Sequence, residues 1–307
     1  MVVTRSQFLA FLEPGLRNIK SDTDYPRRET LYARLYKVAG SKKATETDRQ
    51  WAGLGNFQVK SEGGEVTYSD PINGASKAYT HVTRALGYKI TDEMIRHDQY
   101  AEMRKLEMNL QLSGDDDLET QGFLLLNNGF GTTSSNGFSA TGFDGLALFS
   151  TAHTRIDGGT AQANRPATDA NLTWTTLANG LIQFGLWRDN RGRPILARPN
   201  LLVVHPNDEL TAKELLRSAG KPGTANNEIN AIRDSGLEVL VSPYLTDTNA
   251  WFLIDSAMAD ARWYWDVQPR TAMMEDFDTE VIKRKRVHAF SNGHGDWVGL
   301  FGTSGTT

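Results

Sequence analysis

The sequence predicts an α+β fold without a repeating strand–helix–strand unit, and three observations carry that prediction. Apolar residues alternate with a period of two between Asn56 and Ile90. A long stretch with helical spacing follows, from Thr91 to about Leu112. Beyond Pro199, short apolar runs that read as strands are interleaved with a capped helix, and no segment repeats another.

Composition narrows the function classes. At 307 residues the chain has room for two domain-sized units and a sizeable core. Apolar residues make up 39% and charged residues 23%, ordinary proportions for a globular protein. There is no cysteine, which removes disulfides, thiolate–metal sites and a cysteine nucleophile together. Thirty-three basic residues against 37 acidic ones leave a formal charge of -4. A chain whose main task was tight DNA binding would be basic, because phosphate neutralisation supplies most of that affinity. No apolar run approaches the roughly 18 residues of a membrane span, so no membrane partner is expected. The opening Met1 to Phe8 lacks the apolar core of a signal peptide, and a cytoplasmic site of synthesis is expected.

Residues 1–45 are mixed. Ser6 can cap a short helix through Phe8 to Leu12, which Pro14-Gly15 would end, and charges without an apolar period follow. We read an extended arm; a helical pair at a domain edge is the alternative. Residues 46–90 read as a long hairpin, in which Phe57 alternates with Val59, Val66 with Tyr68, and Leu86 with Tyr88 and Ile90. Glu62-Gly63-Gly64 and Asn73-Gly74 supply its turns. Its tip holds only Val66, Tyr68 and Ile72 as large apolar residues. An isolated hairpin is marginal, so this one needs a partner outside itself.

Thr91 can cap the helix 91–112, with Asp92 and Glu93 in its first turn, and Ser113-Gly114 reads as its end. Ile95, Met103, Leu106 and Leu110 fall on one side, and Met94, Ala101, Met108 and Leu112 on the opposite side. A helix apolar on two opposed faces is sandwiched between neighbours. A second helix is expected to begin at Asp115-Asp116-Asp117 and carry Phe123 to Leu126, with a loop over Asn127 to Gly142. A helix from Leu172 to Trp187 closes at the turn Asp189-Asn190-Arg191-Gly192. Leu201 to Val204 reads as a buried strand, and Asn207 can cap a helix over 208–217. Further strands are expected at 237–241, 251–254, 281–290 and 297–301.

Several runs together resemble the major capsid proteins of tailed bacteriophages, which have the Hong Kong 97-type fold. They are Glu62-Gly63-Gly64-Glu65-Val66-Thr67-Tyr68, Gly87-Tyr88-Lys89-Ile90-Thr91, Leu148-Phe149-Ser150-Thr151-Ala152-His153 and Pro199-Asn200-Leu201-Leu202-Val203-Val204. The most telling are Lys221-Pro222-Gly223-Thr224-Ala225-Asn226-Asn227-Glu228-Ile229-Asn230-Ala231-Ile232-Arg233 and Leu245-Thr246-Asp247-Thr248-Asn249-Ala250-Trp251-Phe252. They follow the family's order over most of the chain. The resemblance implies an N-terminal arm (1–45), an extended loop (46–90) and a peripheral domain (91–198) with a spine helix over 91–112. It further implies an axial domain (199–274), a return strand of the peripheral domain (275–292) and a C-terminal strand and tail (293–307). The function implied is a coat subunit that forms pentamers and hexamers of an icosahedral virion shell around double-stranded DNA. Its partners would be copies of itself, a portal, cement or scaffold proteins, and packaged DNA by weak non-specific contact. Assembly in the host cytoplasm is expected. The shell of a cellular nanocompartment, which shares the fold but encloses protein, is the nearest alternative, and a soluble hydrolase is the remote one.

Residues that could carry chemistry give little. Gly53-Leu54-Gly55 begins like a dinucleotide fingerprint but has Gln58 at the third glycine position. Ser139 lacks the second glycine of a nucleophile elbow. The six histidines, His81, His97, His153, His205, His288 and His294, are scattered, and a hydrogen-bonded structural role is expected for His153. Asp115-Asp116-Asp117 lacks the ligand spacing of a calcium loop. No catalytic, cofactor or metal residue is assigned. The inter-subunit contacts expected of the loop fall on Glu62, Gly63, Gly64, Val66, Tyr68 and Ile72. Lys283, Arg284, Lys285 and Arg286 alternate between the two faces of a strand and so cannot form one concentrated basic patch. Inter-subunit ion pairs are expected of them ahead of genome contact. Lys60 and Lys77 lie in the hairpin, where some family members form a lysine–asparagine cross-link, but nothing nominates a partner.

Overall fold

The computed structural model describes residues 30–91, 102–223, 228–276, 278 and 281–306. Thr91, expected to cap the long helix, is instead the last residue of a strand and pairs with Val281. Residues 92–101, with Met94, Ile95, His97 and Ala101 of the expected helix, the residues before 30 and the run 224–227 lie outside this description. In chain order the elements are Lys37–Gly40 (β1), Thr45–Ala52 (β2), Ile72–Thr80 (β3), Val82–Thr91 (β4) and the helix Glu102–Asn127 (α1). Phe138–Ser139 (β5), the helix Trp174–Leu186 (α2), Leu201–Val204 (β6) and the helix Glu209–Arg217 (α3) follow. Glu238–Val241 (β7), Trp251–Ile254 (β8), Ala261–Asp276 (β9), Val281–His294 (β10) and Leu300–Thr303 (β11) complete them. The mixed α+β class expected from the sequence is the class found.

The largest sheet runs β1–β9–β10–β4, with β5 added beside β10. β1 lies parallel to β9, whereas β9, β10 and β4 are antiparallel. The long strand β9 was not expected, because Pro269 and Arg270 interrupt its apolar run. Val287 pairs with Arg270 and Ala289 with Val267, so Gln268 and Pro269 fall at a register shift of the ladder. A bulge is where a strand tolerates the missing proline N–H. Trp263 on β9 is fully buried and stacks on Phe290 of β10 at 4.2 Å between ring centroids.

Helix α1 departs from the expected boundary. It passes through Ser113-Gly114 without interruption and absorbs the segment read as a second helix. The reason is tertiary. A Cβ at Gly114 would meet Arg286 Nε at 2.7 Å, so the glycine makes room for a guanidinium. The aspartates that resemble a cap are ion-pair partners: Asp115 binds Arg286 at 2.6 Å, and Asp117 binds Arg84 at 3.1 Å. Such contacts override the weak helix propensity of Gly, Ser and Asp. Leu110 is buried, but Leu106, expected in the same buried stripe, is only half-buried, and Met108 on the opposite face is exposed.

Within the segment expected to be an arm, residues 30–40 pack on the body. Glu119 accepts hydrogen bonds from the main-chain N–H of Leu31 (2.8 Å) and Tyr32 (3.0 Å), and Tyr36 donates to the carbonyl of Gly122 (2.8 Å).

The second sheet, β11–β8–β6–β7, forms the centre of the core. Every residue of β6 and β8 is buried, as expected for the apolar runs 201–204 and 251–254. Gly180 lets α2 approach closely: its Cβ would meet Leu253 Cδ1 at 3.0 Å. Thr173 caps α2 in a reciprocal arrangement with Thr176. Asn207 does not cap the next helix. His205 instead accepts from the Asn207 N–H at the short turn Pro206–Asp208, and α3 begins after it. The final strand lies at Leu300–Thr303, slightly beyond the expected 297–301.

Candidate assembly surfaces

The hairpin read from the sequence divides into three parts with different surroundings. Its true ladder is β2 with β3, from Thr45 opposite Thr80 to Ala52 opposite Ile72. Leu86, Tyr88 and Ile90 belong to β4, which pairs with β10 in the main sheet and not with the hairpin. Residues 53–71 form no ladder at all. The alternation of Phe57 with Val59 and of Val66 with Tyr68 therefore marks a surface, not strands. Phe57, Val59, Val66 and Tyr68 are all exposed. The turn at Ser61 to Gly64 closes with Gly64 N–H on the Ser61 carbonyl at 3.0 Å, and Gly63 adopts φ +72°. Glu62, Gly63, Gly64, Val66, Tyr68 and Ile72 thus lie in or beside one loop, with Ile72 starting β3 at its root and less exposed than the tip.

The root of this loop is tied down by a residue that sequence reasoning missed. Arg191 donates from Nε to the carbonyl of Gly53 (2.8 Å) and from Nη2 to that of Asp70 (2.6 Å), clamping both ends. Its turn had been read only as a helix stop. Lys77, on β3, is buried, and its ammonium donates to the carbonyls of Ser139, Thr141 and His294. Burial pulls its pKa down to about 8, opposed by the nearby carboxylates Asp260, Asp48 and Asp144. So placed, it is a structural cation and not an accessible cross-linking amine. His294 is buried with neither ring nitrogen hydrogen-bonded, and burial first, then Lys77, pushes its pKa well below the usual imidazole value.

The remaining candidates are also structural. His153 pairs with Asp144 at 2.6 Å, faces Asn164 Oδ1 at 3.0 Å and stacks on Trp297. Burial raises the Asp144 pKa, but the hydrogen bond and charge of His153 outweigh it and hold the carboxyl below its ordinary value. His81 bridges the hydroxyls of Ser41 and Ser291, each at 3.0 Å, and His288 meets Asp117 at 2.9 Å. Ser139 uses its carbonyl to receive Lys77. Among the described residues no group of three or more His, Asp or Glu is placed to hold a metal. No helix among them is long and apolar enough to cross a membrane. A cleft of about 370 Å³ lies beside β2, between Arg49 and Trp51 on one side and Asp260 and Asp296 on the other.

The run 283–286 is largely engaged within its own chain. Lys283 pairs with Asp276 (2.5 Å), Arg284 with Glu107 (2.6 Å) and Arg286 with Asp115 (2.6 Å), while Lys285 is exposed. Glu107 also accepts from the Tyr88 hydroxyl at 2.9 Å. Arg284 and Arg286 face α1, and Lys283 and Lys285 face away from it, as strand alternation requires.

Comparison with known proteins agrees with this architecture. None of the curated proteins matches the chain. The capsid of Myoviridae Phage XM1 superposes with a TM-score of 0.59 at 10% identity, covering 97% of this chain and 98% of that one. A Microbacterium phage Oxtober96 structure gives 0.57 at 12% identity over 100% of both chains. The capsid of the Cyanophage P-SCSP1u gives 0.58 at 12% identity over 96% and 93%. These likenesses establish the fold, which is of the Hong Kong 97 type. The sequence pattern of the family described as phage capsid protein matches residues 74–302, most of the chain, and the chain therefore belongs to that family of major capsid proteins.

Proposed function

We propose that the chain is a non-enzymatic coat subunit that closes into the icosahedral head of a tailed phage by laying its extended loop over an adjacent copy. The observation that carries this is the loop 53–71. It has no ladder of its own, is clamped at both ends by Arg191, and exposes Phe57, Val59, Val66 and Tyr68. Burying a side chain of that size is worth about 1.5–3 kcal/mol, which a single protomer leaves unused. Met108, exposed on the outer face of α1, offers a second apolar contact. Assembly in the host cytoplasm into pentamers and hexamers, a portal at one vertex, scaffold or cement proteins, and weak contact with packaged double-stranded DNA complete the reading. The loop residues Glu62 to Tyr68 carry the inter-subunit contact, and Lys285 supplies a cation for a second copy.

Electron microscopy of the expressed chain tests the proposal. Closed shells of uniform diameter are expected, with nuclease-protected DNA in particles recovered from infected cells. Shells that enclose only protein in the native source would instead indicate a nanocompartment, and a chain that remains monomeric at high concentration would contradict assembly altogether.

A further inference from the structure

A cavity of about 400 Å³ opens between helix α1 and strands β4 and β10, within the roughly 300–1,000 Å³ typical of small-molecule sites. Leu110 of the helix is buried at its wall, and Leu86, 57% exposed, stands at its mouth with the exposed Ser113. Arg84, Arg286 and His288 supply its polar lining. The charges there are already matched, Arg286 by Asp115 at 2.6 Å and Arg84 by Asp117 at 3.1 Å. An ion added to this partly apolar space would have no counter-charge, so the cavity suits a neutral guest.

Two polar atoms are left over. The His288 side chain is 5% exposed, and its Nδ1 is buried without a partner among the described residues. The same is true of Arg84 Nε, whereas the other two guanidinium nitrogens serve Asp117, Gln121 (2.8 Å) and the carbonyl of Asn136 (2.9 Å). Arg84 and His288 stand directly opposite each other in the ladder of β4 with β10, where paired side chains are about 4.5–5.5 Å apart at Cβ. Asp117 fixes the ring tautomer. A carboxylate only accepts, so His288 Nε2, 2.9 Å away, is the donor, and in the neutral ring Nδ1 is left as an acceptor. Arg84 Nε–H is a donor. One acceptor beside one donor, with leucines around them, is the complement of a single hydroxyl on an apolar body.

We propose that this cavity is a binding site for a small neutral hydroxyl compound of the phenol class. The ligand O–H donates to His288 Nδ1, its oxygen accepts from Arg84 Nε–H, and its apolar body rests against Leu86 and Leu110. Binding thereby satisfies a buried donor and a buried acceptor together, which are costly when left unmatched. The site uses none of the extended-loop residues and stands or falls independently of the coat-subunit reading.

Phenol itself is the probe, titrated into the purified full-length chain by isothermal titration calorimetry. Saturable one-to-one binding is expected, with an unfolding midpoint that rises with phenol concentration. Anisole keeps the oxygen but cannot donate, and toluene lacks the oxygen altogether; both should bind at least tenfold more weakly. Benzoate, which brings an unmatched charge, should be weakened as much. Leu86→Trp at the exposed mouth should abolish phenol binding and leave the unfolding midpoint close to the parent's. No saturable binding, or anisole bound as tightly as phenol, would overturn the proposal and leave the two nitrogens to solvent. Undiminished binding by Leu86→Trp would overturn it by placing phenol elsewhere. The ligand series is read on the parent chain, so it decides the matter even where the variant fails to fold.

Discussion

The ammonium of Lys77 donates to the main-chain carbonyl of His294, joining the root of the extended loop to the end of β10 inside the protein. Two further carbonyls, of Ser139 and Thr141, complete its surroundings. A buried cation held only by neutral carbonyls is stabilised by hydrogen bonds but penalised by desolvation.

That penalty sets a pH dependence. The folded chain releases the Lys77 proton near pH 8, while the unfolded chain keeps it to about 10.5. Between these values the unfolded state binds more protons, so this group's contribution to stability rises with pH. Below about pH 8 both states are protonated and the contribution is flat. Measured on dissociated subunits, the stability of the parent relative to Lys77→Met should shift in the parent's favour by about 2 kcal/mol between pH 8 and pH 10. A pH-independent difference would show that the lysine is not buried in this way.

The same burial predicts an order of chemical reactivity. An amine-directed reagent at neutral pH should modify Lys60 and Lys285, both exposed, well before Lys77. Peptide mapping by mass spectrometry after partial labelling checks this. Early labelling of Lys77 would contradict the carbonyl cage.

Helix α1 should respond differently on its two sides. Leu110 is 4% exposed, and Leu110→Asp should destabilise the subunit by several kcal/mol because it strands a carboxylate in apolar surroundings. Met108 is 44% exposed, and Met108→Ser should change the fold by less than about 1 kcal/mol while lowering shell yield. Denaturant unfolding and sedimentation, run on both variants, separate the effects.

Gly122 is a closer approach than any capping rule would reveal. A Cβ there would meet Tyr32 Cβ at 2.2 Å, and both backbones are pinned by Glu119 and Tyr36. Gly122→Ala should therefore destabilise by roughly 1–3 kcal/mol despite the better helix propensity of alanine. An unfolding midpoint equal to or above that of the parent would show that the N-terminal segment can move aside.

What could be read from the residues was what depends on local pattern. The buried strands at Leu201 to Val204 and Trp251 to Ile254 announce themselves by unbroken apolar runs. The segment 61–71 was legible as one with too few apolar residues to build a core of its own, and it forms no ladder. What failed depended on distant partners. Gly114 and the aspartates after it looked like a helix end until Arg286, Arg84 and His288 were brought against them from the sheet. β9 was hidden by Pro269, whose bulge is visible only in the register with β10. Arg191 and Lys77 act on main-chain carbonyls, which carry no sequence signature. The resemblance of ordered motifs, not any single site, pointed to the family.

The extended loop as the element that joins subunits is the central claim, and one deletion tests it. The cut must spare β3, because Lys77 belongs to the interior, so residues Leu54 to Asp70 are replaced by a two-residue turn. Circular dichroism and the unfolding midpoint of the subunit should stay close to those of the parent, since 53–71 form no ladder and pack little apolar surface. Electron microscopy of the same preparation should show no closed shells. Shells of normal diameter and yield from the shortened chain would contradict the account.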